Sequence, residues 1–331
     1  MGIDSNVQSS RREDRVLHQP VFLQEILTQL VQPNALYVDG TLGDGGHAKA
    51  LLSASDEKSR LIGIDLDTEG QERARQELFS FGDRVQFVHS TFANIAEVVE
   101  QAGWGNVTGI LFDLGMSTHH LQTERGFSFK NSGSLDMRFD STGKIALPDP
   151  TLTALKRVAR KNPAYTAKDL INTLHEDELA EIIELYGEER FGEKIAAEII
   201  AERRNGDIEN VAQLVQVIVR AYPASQRHGR IHVATRTFQA LRIAVNREYE
   251  TLEIGIKQAL SVLKEKGRLA IISFHSGEDR IVKQLFKKAA TTGKFTLLTK
   301  HPIKPTVQEV RANAWSRSAK LRIIEKTANI K

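Results

Sequence analysis

The chain has 331 residues, 40% of them apolar, and a formal net charge of only +3. That length can bury a proper core and suits one large domain with a smaller one, while no run approaches the ~18 apolar residues of a membrane span. Cysteine is absent, which removes disulfides, thiolate nucleophiles and cysteine-ligated metals together.

Residues 1–15, MGIDSNVQSSRREDR, are polar and mixed in charge and read as a flexible leader. They lack the apolar middle of a secretory signal, and Asp4, Glu13 and Asp14 argue against a mitochondrial presequence. Asn6 breaks the myristoylation pattern that Gly2 would start. The expected location is the cytoplasm.

Leu23, Ile26, Leu27 and Leu30 then recur at helical spacing, and Pro33 closes that helix. The short apolar runs ALYVD, RLIGID, VQFVHS and GILFDLG follow, separated by helical stretches. Strands alternating with helices predict a doubly wound, mostly parallel sheet with helices on both faces. The pattern stops near Ser117 and resumes with GRLAIISF (267–274), KFTLLTK and AKLRIIEK, seven strands in all. Between them, Leu179, Ile182, Ile183 and Tyr186 share one helical face, as do Phe191, Ile195 and Ile199, and Val211, Leu214, Val215 and Ile218. Residues 124–224 therefore read as an inserted all-helical domain, and 16–123 with 225–331 as one discontinuous α/β domain.

The first strand runs into LYVDGTLGDGGHAKALL, a glycine-rich turn of the kind that holds nucleotides. A P-loop is excluded, since no Gly-Lys-Ser/Thr follows. Gly43, Gly45 and Ala48 fit the dinucleotide spacing, with Asp65 ending the next strand where a ribose acid belongs, so an NAD-dependent oxidoreductase is one reading. Against it, Gly40, Thr41 and Leu42 lengthen the loop, and Asp39 would set a carboxylate beside a pyrophosphate. A ligand with ammonium and sulfonium centres and no phosphate, such as S-adenosylmethionine (SAM), tolerates that acid. Asp39 as a helix cap, Asp65 as a turn residue and glycines serving only close packing are the plainer alternatives.

GILFDLGMSTHH is another strand, ending in Asp113, and in an open parallel sheet ligands sit at the carboxyl ends of the strands. Asp39, Asp65 and Asp113 are therefore expected around one crevice. Methyl transfer asks mainly for alignment of acceptor and methyl, with an acceptor for the proton of a conjugated amine; Asp113, helped by Ser117, is the candidate. Without a thiolate the chain lacks the usual means of methylating a pyrimidine at ring carbon, which leaves nitrogen or oxygen acceptors.

The motifs HQPVFLQEIL, YVDGTLGDGGH, GIDLD, DLGMS, ERGFSF, LDMR, YGEERF, ATRTFQALRIAVN and ISFHSGEDR occur in that order from His18 onward. Over nearly its whole length the chain closely resembles the cytosine-N4 methyltransferases of small-subunit ribosomal RNA. The resemblance implies a Rossmann-like class I SAM-dependent fold and methylation of the exocyclic N4 of a decoding-centre cytosine in 16S rRNA. It places the cofactor loop on Gly45, Gly46 and His47, the ribose acid on Asp65, the adenine-side aromatic on Phe92, and further contacts on Asp113 and His120. The family normally has glutamine at the last of these, and imidazole cannot copy an amide's paired groups. Gly277 stands where the family carries leucine, which implies altered packing near His275.

Arg125, Phe127, Arg138, Arg236 and His275 are the candidate substrate contacts, since aromatic and guanidinium planes receive splayed-out bases; Phe127 and Phe129 could equally anchor the insert. Between Lys283 and Lys331, twelve Lys or Arg face two acids, where a polyanion would dock. The expected partner is small-subunit rRNA or the 30S particle, with no membrane; a homodimer is left open. His47, His119, His120 and His275 lack metal-ligand spacing, so no metal is expected. A binding-only assembly factor that has lost activity is the remaining rival.

Overall fold

The computed structural model describes residues 20–328 apart from Asn131, His228 and Arg230. The leader expected at 1–15 and His18 of the first motif lie outside the described residues.

Strands β1 (Leu36–Asp39), β2 (Arg60–Asp65), β3 (Val85–His89), β4 (Val107–Asp113), β5 (Leu263–Ser273), β6 (Phe295–Leu297) and β7 (Lys320–Lys326) form one sheet. Its order is β3-β2-β1-β4-β5-β7-β6. The first five strands run parallel, and β7 is antiparallel to both β5 and β6. This is the doubly wound class I methyltransferase arrangement that the strand pattern and the resemblance predict. The order turns back between β1 and β4, and such a switch point opens a crevice at the strands' carboxyl ends.

Helices α1 (Leu23–Leu30), α2 (Gly46–Ser53), α3 (Thr68–Glu77), α4 (Ile95–Ala102) and α5 (Thr118–Gln122) accompany the first four strands. The insert follows with α6 (Thr153–Lys161), α7 (Ala167–Thr173), α8 (Glu176–Gly187), α9 (Gly192–Arg203) and α10 (Val211–Ala221). The chain returns through α11 (Thr235–Asn246), α12 (Glu248–Val262), α13 (Ser276–Ala290) and α14 (Val307–Ala312). No helix among the described residues is long and apolar enough to cross a membrane.

Two cores sandwich the sheet. Successive strand residues point to opposite faces, so Leu36, Val38, Ile110 and Phe112 pack with α4, α12 and α13. Tyr37 and Leu111 pack with α1, α2 and α3 on the other side. Both faces being covered explains why β1 and most of β2 and β4 are continuously apolar.

A third core belongs to the helices of the insert, with Leu179, Ile182, Ile183, Ile195, Ile199, Leu214 and Ile218 inside. Val217 of α10 is also fully buried, whereas Val215 packs only at the edge. Helix α11 adds Phe238, Leu241 and Val245, so the helical core runs past residue 224, where the insert was expected to end. The cause lies in spacing: those three residues continue an i, i+3, i+7 apolar stripe. Polar contacts fasten the insert to α11 and α13. Asn246 accepts from the Phe139 N–H and donates to the Met137 carbonyl, both at 2.7 Å. Glu188 accepts from Ser276 Oγ at 2.7 Å and pairs with Arg280.

Gly277 has a physical explanation. A Cβ there would stand 1.9 Å from Tyr249 Oη and 2.7 Å from Cζ, so α13 approaches α12 over a tyrosine where a side chain would clash. Tyr249 and Gly277 thus form one complementary pair. Gly277→Ala is expected to lower unfolding free energy by about 1–3 kcal/mol, the usual cost of overpacking, in urea melts, and Tyr249→Phe in the same chain should recover part of it. Equal stability of G277A and wild type would refute this packing.

Candidate active site

The crevice is built by the turn after β1. Gly40 N–H donates to the Leu111 carbonyl at 2.9 Å and Leu42 N–H to the Ile64 carbonyl at 3.0 Å, which stitches the turn to β4 and β2. Gly45 sits at φ +83° as the cap of α2, a conformation that side chains resist, and a Cβ there would press on Ala74 and Leu78 of α3. Gly43 N–H donates to Asp65 Oδ2 at 2.7 Å, and Asp67 N–H donates to Asp65 Oδ1 at 2.8 Å. The loop is therefore held by the acid it was expected to flank.

Asp39, Asp65 and Asp113 end adjacent strands, as their registers require. Asp39 is 2% exposed and accepts the Thr41 N–H at 3.1 Å. Burial pushes its carboxyl up to about 7; His47 and the Thr41 N–H oppose the shift, while Asp113 and Asp65 add to it. Burial also raises Asp65, against its two backbone donors. The backbone N–H of Asp113 donates to Thr41 Oγ1 at 2.6 Å, and Asp113 Oδ2 lies 3.4 Å from His47 Nε2. Neither ring nitrogen of His47 nor Asp113 Oδ1 has a hydrogen-bond partner among the described residues.

This arrangement fits a cationic ligand bearing hydroxyls. Among the described residues no Lys or Arg forms an ion pair with Asp39, Asp65 or Asp113, so the acids await a positive charge. Each Asp65 oxygen accepts one backbone N–H and keeps lone-pair capacity for a diol. Phe92 is half-buried and packs at 4.6 Å on Phe112 and against Gly255 of α12.

Ser117 caps α5: its Oγ accepts the His120 N–H at 3.3 Å. His120 answers through Nδ1, which accepts the Ser117 N–H at 3.2 Å, while Nε2 lies 3.2 Å from Asp67 Oδ2. Burial alone would raise the Asp67 carboxyl, but the hydrogen bond and charge of His120, with Arg125, hold it below the usual range. The imidazole thus bridges the two sides of the crevice, from β4 to the start of α3. Its ring packs on Phe127 at 4.8 Å and Phe139 at 5.2 Å.

The substrate candidates separate. Phe127 is buried and stacks on Phe139 at 5.5 Å, so its ring is a core contact and not a free platform. Phe129 likewise stacks on His232 at 4.6 Å. Arg125 Nη1 donates to the Arg138 carbonyl at 3.0 Å, while its buried Nη2 has no hydrogen-bond partner among the described residues; Arg138 grips Asp136 with two hydrogen bonds of 2.8 and 2.7 Å, which commits its guanidinium within the insert. Arg236 is exposed, with one bond to the Glu188 carbonyl at 3.1 Å. His275 caps α13, its Nδ1 accepting the Glu278 N–H at 3.4 Å. It also belongs to the one group among the described residues close enough to hold a metal, Glu248, His275 and Glu278. Their atoms are already engaged: Arg242 holds both Glu248 oxygens at 2.8 and 2.9 Å, and Glu278 accepts the Phe274 N–H at 2.8 Å.

Thr41, Asp67 and Phe139 were not singled out as site residues by sequence. Thr41 stood in plain view, a hydroxyl two positions after a strand-end acid; Asp67 and Phe139 gain meaning only through His120.

Comparison with known proteins places the chain. The model of the MraW methylase family matches residues 15–150 and 153–327. The ribosomal RNA small subunit methyltransferase H of Geobacter sp. strain M21 is 44% identical over 327 residues, covering 93% of this chain and 98% of that protein. The protein of the same name from Symbiobacterium thermophilum is 42% identical, covering 93% and 96%. The oxidoreductase reading gives way to this finding. The chain belongs to the MraW methylase family and is a SAM-dependent methyltransferase.

Proposed function

We propose that this methyltransferase places a methyl group on the exocyclic N4 of a cytosine in the decoding centre of 16S rRNA, within the small ribosomal subunit. The observation that carries the reading is the set of strand-end carboxylates, Asp39, Asp65 and Asp113, with no Lys or Arg paired to them among the described residues. The lack of cysteine leaves no thiolate for attack at ring carbon. The curated relatives carry small-subunit rRNA in their names, and the choice of N4 rests on the resemblance of the motifs.

SAM, when bound, supplies an electrophilic methyl on a sulfonium. The chain's own residues do the rest. Asp65 would take the ribose hydroxyls, and Asp39 would balance the cation. Asp113, whose backbone Thr41 fixes and whose Oδ1 is free, would accept a hydrogen bond from the target amine and steer its lone pair toward the methyl. When nitrogen gains the methyl it must shed one proton, and Asp113 with His47 at 3.4 Å gives that proton a route. Ser117 would act by capping α5 and holding the backbone beside Asp113. The insert, with exposed Arg236, would help present the RNA, and His275 would position the start of α13 beneath it.

Labelled methyl transferred from SAM to small ribosomal subunits should be recovered on cytidine N4 after nucleoside digestion. Asp113→Ala should lower kcat by about 10²-fold or more, the scale of a lost positioning and proton-accepting group, with a smaller change in SAM affinity. Label on ring carbon, or none on RNA, contradicts the reading.

Asp39 adds a pH signature. Below about 7 the ligand-free carboxyl is largely protonated, and a cation beside it favours ionisation. Binding therefore releases a proton, and SAM affinity should rise with pH, by at most about tenfold per unit, levelling above about 7. The sign for folding is the reverse: a raised carboxyl stabilises the empty fold at low pH and loses that contribution as pH climbs from 3.8 to about 7. Calorimetry in two buffers of different ionisation heat reads the proton, and Asp39→Asn should abolish the slope. A slope that survives in D39N would remove Asp39 from this role.

A further inference from the structure

The basic carboxyl-terminal third is unevenly neutralised. Along β7, Lys320 and Arg322 both pair with Asp279, and Arg268 of β5 pairs with Glu325. The connection between β6 and β7 differs. Lys300, Lys304, Arg311 and Arg317 are exposed, and none has an acidic partner among the described residues. The lone acid of that connection, Glu309, faces inward, its Oε1 accepting the Phe22 N–H at 2.7 Å.

Trp315 lies in the sequence between Arg311 and Arg317 and is 60% exposed. Its exposure is enforced by the backbone around it. Asn313 Oδ1 accepts the Trp315 N–H at 3.1 Å, and the next residue, Ser316, is fully buried with its Oγ donating to the Asn313 carbonyl at 2.7 Å. Ile303 and Leu321 exchange N–H···O bonds of 2.9 and 3.0 Å, which pin the connection to the sheet. A large indole held outward on ordered backbone, on a connection whose exposed cations have no acidic partner among the described residues, is the chemistry of a single-strand platform: bases stack on the ring while phosphates meet the charges.

Its position suits the reaction. Asp113 is in register with Ile272, and Ile272 with Leu321. Two strand spacings make that separation about 10 Å, and residues 314–319 precede β7 at this same carboxyl edge. The Glu309–Phe22 bond ties the connection to the segment whose Pro20 lies over Gly46 of the cofactor loop.

We infer that the 300–317 connection is a docking surface for the single-stranded rRNA flanking the target base, with Trp315 stacking one nucleotide and Lys300, Lys304, Arg311 and Arg317 holding phosphates. This rests on the proposed ribosomal substrate and names a second RNA contact apart from the insert.

The chain has two tryptophans, and Trp104 lies against Arg60 at the opposite end of the strands, so in a Trp104→Phe chain the fluorescence reports Trp315 alone. A cytosine-rich single-stranded RNA oligonucleotide should quench it, and added salt should reverse the quenching. In the otherwise native chain, R311A/R317A should raise KM for small subunits severalfold with kcat and SAM affinity unchanged. Two lost contacts should also flatten the slope of log affinity against log salt by about 1.4, at about 0.7 per phosphate on single strands. Trp315→Ala should weaken RNA binding by about fivefold or more. Unquenched Trp315 at high RNA concentration overturns the inference, as does quenching by whole subunits but not by naked RNA, which would assign the surface to a ribosomal protein. Wild-type protein that fails to methylate small subunits sinks the proposed function instead; intact methylation with KM unchanged in R311A/R317A sinks only the docking surface.

Discussion

Three carboxylates at the tips of neighbouring strands, with no lysine or arginine paired to them among the described residues, are the constraint from which the rest of the molecule follows. Desolvated anions repel one another, and a fold keeps them only where something else holds the backbone. Here that support is the main chain: Gly43 and Asp67 donate to Asp65, Thr41 donates to Asp39, and the Thr41 hydroxyl accepts from Asp113. The rigid turn after β1 thus carries an electrostatic debt that a sulfonium cofactor is suited to discharge. Phosphate ligands would deepen it.

The second organising element is His120. It ties Ser117 at the end of β4 to Asp67 at the start of α3, and its ring closes an aromatic cluster with Phe127 and Phe139 of the insert. One side chain therefore couples the start of α3, the end of β4 and the insert. Its imidazole thus performs a two-ended bridging task. On the other side of the crevice, Arg242, Glu248, His275 and Glu278 make a compact charged network, with Glu278 held below the ordinary carboxylate range by His275 and Arg242 despite its burial. That network joins α11, α12 and the start of α13, the elements that carry the chain from the insert back to the sheet.

The residues proposed to meet RNA divide between packing and display. Arg138 and Phe127, a cationic and an aromatic residue of the sort that read nucleic acid, are engaged in holding the insert together. Arg236 of α11, and Trp315 with Arg311 and Arg317 before β7, remain exposed. Residue type alone does not separate a stacking platform from a core ring; exposure and partners do.

By itself the sequence determined the architecture. Alternation of apolar runs with helical stripes encodes a two-sided parallel sheet, because buried strands must be continuously apolar and covering helices must be amphipathic. The strand-end acids were legible for the same reason, since strand direction sets which end each side chain occupies. Ordered motifs identified the family. What only the tertiary structure decided were pairings between residues far apart in the chain: Tyr249 filling the space above Gly277, His120 meeting Asp67, Arg138 closing on Asp136 and away from solvent, and α11 joining the helical core beyond residue 224. These depend on three-dimensional proximity and on which neighbour reaches a charge first, and periodicity along a chain carries no record of either.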